Sequence, residues 1–269
     1  MRIDALRLRV ALVLALAGCG EEEQQPLTWQ EFQDQAFHED GVWVVNGDEP
    51  AETIDQLADA YRAYLATVDD DGIGSTQQGL IVNRVGGRDD KWSASASQNI
   101  TYCVSRSSFG TSRYNAVVSA MNSASGAWEA AANVNYTHNS SLDGSCTSST
   151  GGVVFNVRQV STTQFLARSF FPSSSRRSRE VLISTSSFGN ISPYILAGIL
   201  RHELGHTLGF RHEHTRPEAG TCFEDNNWRA LTTYDSASVM HYPQCNGTNR
   251  GDLVLTTRDR QGAAALYGP

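Results

Sequence analysis

The sequence predicts a mixed α/β fold for residues 80–269, here called the body, preceded by an acidic leader at residues 19–79. In the body, segments with strand-like patterns alternate with segments of helical periodicity. Apolar residues make up 40% of the 269 residues, which suffices for an ordinary globular core. Beyond Cys19, the leader carries 15 acidic residues and one basic residue, whereas the body carries 13 acidic and 17 basic residues. We therefore expect one sizeable domain with an accessory segment lying against it.

The predicted elements of the body and leader can be placed from these patterns. Strands are expected at residues 99–105, 153–160, 164–171 and 181–184. Helical spacing of apolar side chains predicts helices at residues 51–67 and 112–132. A third helix is expected to open at Ser192 and Pro193, because these residue types are preferred at an N-cap and in the first turn.

The N-terminus has the features of an export signal. Basic residues precede an apolar run at residues 10–17, and the sequence LAGC ends at Cys19. Residues 1–18 are therefore assigned as a signal peptide and excluded from the folded domain. The LAGC sequence also resembles a bacterial lipobox, in which the cysteine is lipidated, and Gly20 in place of an aspartate favours the outer membrane. A plain signal peptide with a chance cysteine is the alternative.

Charge and hydropathy restrict the partners. A net charge of −8 argues against non-specific binding to nucleic acid, so no nucleic-acid partner is expected. No apolar run reaches the roughly 18 residues needed to span a bilayer, so membrane contact is expected only through the lipid on Cys19. We expect an exported monomer at the outer membrane or cell surface, released if the leader is cleaved.

The cysteines indicate disulfides rather than a thiolate metal site. Apart from the lipobox residue, four remain: Cys103, Cys146, Cys222 and Cys245. In an exported chain they imply two disulfides, with three possible connectivities. We favour pairing neighbours in sequence, 103 with 146 and 222 with 245. No C-x-x-C pair is present, which argues against a zinc knuckle.

The segment HELGHTLGFRH carries the chemistry. Residues four apart on a helix stand on the same face, so His202 and His206 can reach one zinc ion. Glu203 points in a neighbouring direction, where it can hold a water at the metal and act as general base. Gly209 supplies the left-handed turn that ends the helix, and the reversed chain can bring back His212 as the third ligand. Three protein ligands leave one position open, as a catalytic zinc site requires.

The spacing H-E-x-x-H-x-x-G-x-x-H is the signature of the metzincin zinc peptidases, and the chain resembles them. The stretch Ser238–Tyr242 is similar to their Met-turn in its astacin and serralysin form. The resemblance implies that Met240 forms an apolar floor beneath the histidines and that Tyr242 stabilises the oxyanion. Within the metzincins the chain most resembles the bacterial dual-action HEIGH metallopeptidases, because its cysteine spacing departs from that of astacins.

The resemblance covers the whole body. It implies a twisted mixed sheet with long helices above the zinc cleft, and a smaller irregular C-terminal subdomain after Gly209. Residues 255–267 are similar to the terminal helix, opened by Thr256 with Asp259 three residues later. The resemblance also implies an edge strand that would pair with an extended substrate. Its residues are Leu166, Ala167, Arg168, Ser169 and Phe170.

These features predict a zinc endopeptidase that acts on protein or peptide substrates. Zn²⁺ is the expected cofactor, Glu203 and Tyr242 the expected catalytic residues. Two other classes of function stay open. One is a zinc-binding surface adhesion module without turnover, and the other is a zinc amidase acting on cell-wall peptides.

The leader offers a means of latency. Astacin propeptides block zinc through the aspartate of an F-x-G-D motif, and residues 45–48 read VNGD, a partial match that lacks the aromatic residue. Asp48 could then ligate zinc in place of the catalytic water, and Gly47 would allow a close approach. Cleavage between about Ser75 and Lys91 would release activity. The alternative is an ordinary Asn-Gly-Asp turn.

Overall fold

The computed structural model describes residues 26–39, 41–68, 80–249 and 251–269. The expected signal peptide, the expected lipidation site Cys19 and the first part of the expected cleavage interval, residues 75–79, lie outside the described residues. Within the described ranges, no helix combines the length and apolar character needed to cross a bilayer.

The described part of the leader forms two helices and a three-stranded antiparallel sheet. Its elements are α1 (Trp29–Gln35), β1 (Phe37–Glu39), β2 (Val42–Val45), β3 (Glu49–Ala51) and α2 (Ile54–Val68). The helix predicted at residues 51–67 begins later than expected, because β3 pairs with β2 through Ala51. Aromatic contacts hold α1 against α2. The rings of Trp29 and Phe32 in α1 pack against those of Tyr61 and Tyr64 in α2.

The body contains the mixed sheet that the sequence predicts. Its elements are β4 (Ile81–Val85), β5 (Arg88–Asp89), α3 (Ala94–Ser97), β6 (Ile100–Val104), α4 (Arg106–Glu129), β7 (Tyr136–His138), β8 (Phe155–Val160), β9 (Ala167–Arg168), β10 (Glu180–Ser184), α5 (Leu196–Thr207), β11 (Trp228–Ala230) and α6 (Thr257–Tyr267). The central sheet has the order β7-β6-β8-β10-β9, and β9 alone runs antiparallel to its neighbour. This arrangement confirms the α/β prediction.

The core lies between this sheet and the two long helices α4 and α5, which pack against each other. Trp128 of α4 is fully buried, and its indole N–H donates to the backbone carbonyl of Arg201 in α5 at 2.8 Å. Its ring also stacks on Phe210, just beyond α5. These contacts fix α5, and with it the zinc-motif residues, against the sheet.

In the body, three elements differ from the sequence prediction by more than two residues at one end or more. The strand predicted at 164–171 is regular only in β9, because only Ala167 and Arg168 have ladder partners in β10. The Leu166 carbonyl extends this pairing by accepting from Ser184 N, and it also accepts from Ser187 Oγ. Helix α4 begins six residues before position 112, with a kink at Gly110. The helix expected at Ser192 begins at Leu196, because residues 191–194 close a separate turn ahead of it.

Candidate metal centre and active site

Helix α5 and the chain that follows it bring the three motif histidines together. His202 and His206 lie one turn apart on α5, Gly209 adopts a φ of 91° just past its end, and His212 returns beside them. The Nε2 atom of His212 lies 3.3 Å from that of His202 and 3.2 Å from that of His206. Nitrogens bound to zinc at 2.0–2.1 Å in a tetrahedron are about 3.3 Å apart. The spacing therefore fits a zinc ion.

The hydrogen bonds of the His202 and His206 rings leave the Nε2 atom of each ring facing the centre of the triad. His202 Nδ1 donates to the Val239 carbonyl at 2.7 Å, and His206 Nδ1 donates to the Phe210 carbonyl at 2.8 Å. With Nδ1 protonated, Nε2 of each ring presents a lone pair to the centre. Converging buried lone pairs repel one another unless a cation lies among them. The donor set of three imidazoles with one carboxylate nearby suits a zinc ion.

His212 has a carboxylate as its partner instead of a carbonyl. Its Nδ1 lies 2.6 Å from Glu224 Oε1, and the same oxygen accepts from His214 Nε2 at 3.2 Å. His214 Nδ1 accepts from the backbone N–H of Tyr242 at 3.2 Å, and burial lowers the pKa of His214 to about 4, so this ring is neutral. Arg211 Nη2 holds the other oxygen of Glu224 at 3.1 Å. Sequence reasoning missed Glu224, because no local pattern joins it to the motif.

Glu203 lies beside the metal ligands as a buried carboxylate. Its side chain is fully buried, and neither oxygen has a hydrogen-bond partner among the described residues. Burial, followed by the charge of Asp48, raises the pKa of Glu203 to about 7. A carboxylate with free oxygens and a pKa near neutrality is suited to accept and return a proton.

The Met-turn lies beneath the histidines. Met240 is fully buried, and a Cβ on Gly205 would lie 2.3 Å from its sulfur, so the thioether packs directly against the backbone of α5. Asp259 in the first turn of α6 holds the turn through Ser238 Oγ at 2.5 Å and the Val239 N–H at 2.9 Å. Asp259 thus supports the carbonyl that orients the first histidine, a role beyond the helix cap expected for it.

The leader inserts Asp48 among the three histidines. Residues 46–48 form the tip of the β2–β3 hairpin, and Gly47 has a φ of 98°. Asp48 is fully buried, with Oδ1 3.0 Å from His212 Nε2 and 3.5 Å from His206 Nε2, and Oδ2 3.4 Å from His202 Nε2. These distances resemble the edges between ligands of one tetrahedral ion, so the carboxylate lies on the side where a fourth ligand of such an ion would bind.

Tyr242 contacts the inserted aspartate. Its hydroxyl donates to Asp48 Oδ2, and its ring lies 4.4 Å from that of His212 between centroids. A Cβ on Gly47 would lie 3.0 Å from the Tyr242 hydroxyl, so a glycine is needed for this close approach. The Asn-Gly-Asp turn expected as the alternative is present, and its last residue points into the metal centre.

Glu49 next to Asp48 forms an ion pair with the body. Its carboxylate accepts from Arg211 Nε at 3.2 Å and Nη2 at 3.0 Å, and all of these groups are buried. Arg211 also donates from Nη1 to both oxygens of Asp225, at 2.6 and 2.7 Å. Burial raises the pKa of Glu49 to about 7, although the charge of Arg211 opposes the shift.

The remaining expected residues lie at the periphery of the centre. The segment containing Leu166, Ala167, Arg168, Ser169 and Phe170 is buried, and its regular part, β9, is the last strand of the central sheet. Disulfides join Cys103 to Cys146 and Cys222 to Cys245, which are neighbours in sequence.

The histidine triad, the adjacent glutamate and the segment around Met240 form a possible metal centre that resembles the zinc site of metzincins. No protein-family model matches the chain. Among curated proteins, it is 37% identical over 84 residues to a bone morphogenetic protein 1 homolog of Strongylocentrotus purpuratus, covering 23% of this chain and 13% of that protein. The chain is also 37% identical over 93 residues to Tolloid-like protein 2 of Mus musculus. The matched region covers 26% of this chain and 9% of that protein.

A third relative is a protease by name. The chain is 32% identical over 92 residues to Blastula protease 10 of Paracentrotus lividus, covering 27% of this chain and 15% of that protein. The chain thus spans about a tenth of the length of the relatives it matches. These similarities support the resemblance to astacin-like zinc peptidases, whereas the HEIGH subgroup is not confirmed.

Two solved structures are also similar to the chain. Myroilysin has a TM-score of 0.48 and 19% identity, covering 70% of this chain and 98% of that one. High choriolytic enzyme 1, a hatching enzyme zinc-protease from Oryzias latipes, has a TM-score of 0.42 and 20% identity. The match covers 66% of this chain and 94% of that one.

Proposed function

We propose that the chain is a zinc endopeptidase that hydrolyses peptide bonds in protein or peptide substrates. The observation that carries this proposal is the position of Glu203, a buried carboxylate with no hydrogen-bond partner among the described residues, beside three converging imidazoles. The fourth possible ligand, Asp48, belongs to the leader, so release of the leader would open one position at the zinc for water. A site that only held zinc structurally would have no need of an unpaired carboxylate. An adhesion module would not need one either.

The roles of the protein groups follow from their positions. Bound zinc supplies Lewis-acid polarisation of a water and of the scissile carbonyl. Glu203 accepts a proton from the attacking water and delivers it to the amine nitrogen that leaves. The Tyr242 hydroxyl donates to the oxyanion that develops on the carbonyl, a contact worth about 3 kcal/mol in other enzymes. An extended substrate would lie along residues 166–170, because Leu166 and Ala167 pack in one cluster with Tyr242.

We also propose that the leader keeps this site latent. Asp48 lies on the side where a fourth ligand of the metal would bind and takes the hydrogen bond of Tyr242, so both the water position and the oxyanion donor are engaged. Additional contacts hold the hairpin against the body. Val44 packs with Val160 and Leu182, and Glu49 pairs with Arg211.

Cleavage that releases the leader would have to occur on the N-terminal side of Leu80. Leu80, Ile81 and Val82 are fully buried, and β4 pairs with both β5 and β11. Residues 84–88 at the β4–β5 turn are exposed, but a cut there would leave β4 joined to the leader. Within the expected interval from Ser75 to Lys91, only a cut before β4 would therefore release the leader and leave the body intact.

Export as a lipoprotein belongs to the same proposal. Two disulfides fit an oxidising compartment outside the cytoplasm. The lipobox-like sequence before Cys19 supports lipidation at that residue. Mass spectrometry of the N-terminal peptide from the native membrane fraction tests it, and an unmodified Cys19 or a different N-terminus would contradict it.

The activity is tested on protein that has been folded as the full chain and then freed of its leader. It should hydrolyse casein or a quenched peptide, lose this activity on chelation and regain it with zinc. Peptidoglycan fragments assayed in parallel test the amidase class. Turnover of peptidoglycan alone would contradict the endopeptidase proposal, as would full protein hydrolysis after complete removal of zinc.

A further inference from the structure

We propose that Glu224 is a positioning residue that fixes His212 as the third metal ligand. This inference rests on the proposed zinc peptidase and adds a residue outside the zinc motif. The bond from His212 Nδ1 to Glu224 Oε1 measures 2.6 Å, against 2.7 and 2.8 Å for the bonds of the other two motif histidines. Glu224 and His212 are both buried.

His212 needs such a partner because of its place in the fold. The other two histidines lie on α5, where the helix backbone fixes their Cα positions and neutral carbonyls accept from their rings. His212 lies beyond Gly209, outside regular helix, so its ring orientation depends on side-chain contacts. A carboxylate on Nδ1 fixes the tautomer and also makes Nε2 a stronger donor to the metal.

Glu224 is itself held rigidly. Its Oε1 also accepts from His214 at 3.2 Å, its Oε2 accepts from Arg211 at 3.1 Å, and its backbone N–H donates to Thr215 Oγ1 at 3.1 Å. Arg211 is anchored in turn by both carboxylate oxygens of Asp225. A carboxylate with three side-chain donors and a fixed backbone can hold the imidazole in place before the metal binds.

Asp225, the acidic residue that follows Glu224, offers a matched control. Asp225 also pairs with Arg211 and is also buried, but among the described residues its carboxylate accepts from Arg211 and the Asn227 N–H and from no motif histidine. A purely structural carboxylate would affect folding stability, whereas a positioning carboxylate also affects metal affinity. Glu224→Gln keeps an oxygen that can accept from the imidazole, and Glu224→Ala removes it.

The experiment measures zinc affinity of the full chain by competition with a chromophoric chelator, together with the visible spectrum of the Co²⁺ form. Glu224→Ala should weaken zinc binding by about 10–100-fold and shift the Co²⁺ bands. Glu224→Gln should fall between this variant and the wild type, and Asp225→Asn should lose clearly less than Glu224→Ala. Circular dichroism confirms folding, and Glu224→Gln carries the test if the alanine variant does not fold.

Wild-type affinity and spectrum in the folded Glu224 variants would overturn the inference. If Asp225→Asn lost as much zinc affinity as Glu224→Ala, the inference would also be overturned. The loss would then come from removing a negative charge near Arg211 and not from the contact with His212. The two proposals remain distinguishable in the leader-free wild type. If it fails to hydrolyse any peptide while the affinities follow the expected order, the endopeptidase fails and the positioning role of Glu224 stands.

Discussion

Replacing Asp48 with asparagine should convert the uncut chain from a latent to a partly active enzyme. Asparagine has nearly the same shape and can keep the contact with Tyr242, but its neutral amide is a weaker zinc ligand than a carboxylate. The two oxygens of Asp48 lie 3.0–3.5 Å from the Nε2 atoms of the three histidines. The substitution therefore removes the negative charge from the metal centre and leaves the hairpin otherwise intact.

The size of the effect follows from the burial of Asp48. Removing one partner of a fully buried charge pair costs about 3–5 kcal/mol, and each 1.36 kcal/mol changes an equilibrium tenfold. The ratio of docked to undocked leader should thus fall by about 10²–10⁴-fold. Peptide hydrolysis by the uncut chain should rise by the same factor, up to the rate of the leader-free enzyme. Asp48→Ala, which also removes the bond from Tyr242, should raise it at least as far.

The assay is hydrolysis of a quenched peptide by the uncut chain, with the intact mass verified before and after the reaction. Glu52→Gln is the matched control, because Glu52 is another leader carboxylate that contacts the body, through the Ser175 N–H at 3.0 Å. Each preparation is repeated with Glu203→Ala to subtract contaminating proteases. Equal low rates for wild type and Asp48→Asn would eliminate Asp48 as the switch, and a fully active uncut wild type would eliminate latency.

Further predictions concern the oxyanion donor, the second leader carboxylate and the Met-turn. Tyr242→Phe should lower kcat of the leader-free enzyme by about 10–1000-fold with little change in KM. A raised KM with unchanged kcat would instead make it a substrate-binding residue. Glu49→Gln removes a charge from the pair with Arg211 and should raise hydrolysis by the uncut chain about tenfold; an unchanged rate would show that this pair does not hold the leader. Gly205→Ala should destabilise the fold by about 1–3 kcal/mol, because its Cβ would meet the Met240 sulfur, and an unchanged Tm would refute this packing.

The parts of the site that lie close together in sequence could be predicted from it. The helical repeat alone places His202 and His206 on one face, and the glycine three residues later predicts the return of the chain. The Asn-Gly-Asp sequence likewise predicts the hairpin tip, because Asn46 and Gly47 adopt the positive φ values that these residue types tolerate. In each case a local conformational preference determines the local structure.

The contacts that join distant segments could not be predicted in this way. Glu49 lies 162 residues before Arg211 in sequence, and the pairing depends on how the leader docks. Glu224 reaches His212 only through the irregular chain after α5, where no periodicity relates the two. The strand expected at residues 164–171 is shorter than predicted for a similar reason, since only Ala167 and Arg168 find ladder partners in the distant strand β10. Such contacts depend on tertiary packing, which a residue pattern does not specify.

The most direct test of the endopeptidase proposal is the hydrolytic rate of the leader-free Glu203→Ala protein measured together with its zinc content. Glu203 is not a metal ligand in the proposed mechanism, so the variant should keep about one zinc per chain. It should nevertheless lose nearly all peptide hydrolysis, because the proposed mechanism uses the Glu203 carboxylate to take the proton from the attacking water. Undiminished hydrolysis by this variant with its zinc retained would contradict the mechanism proposed for this site.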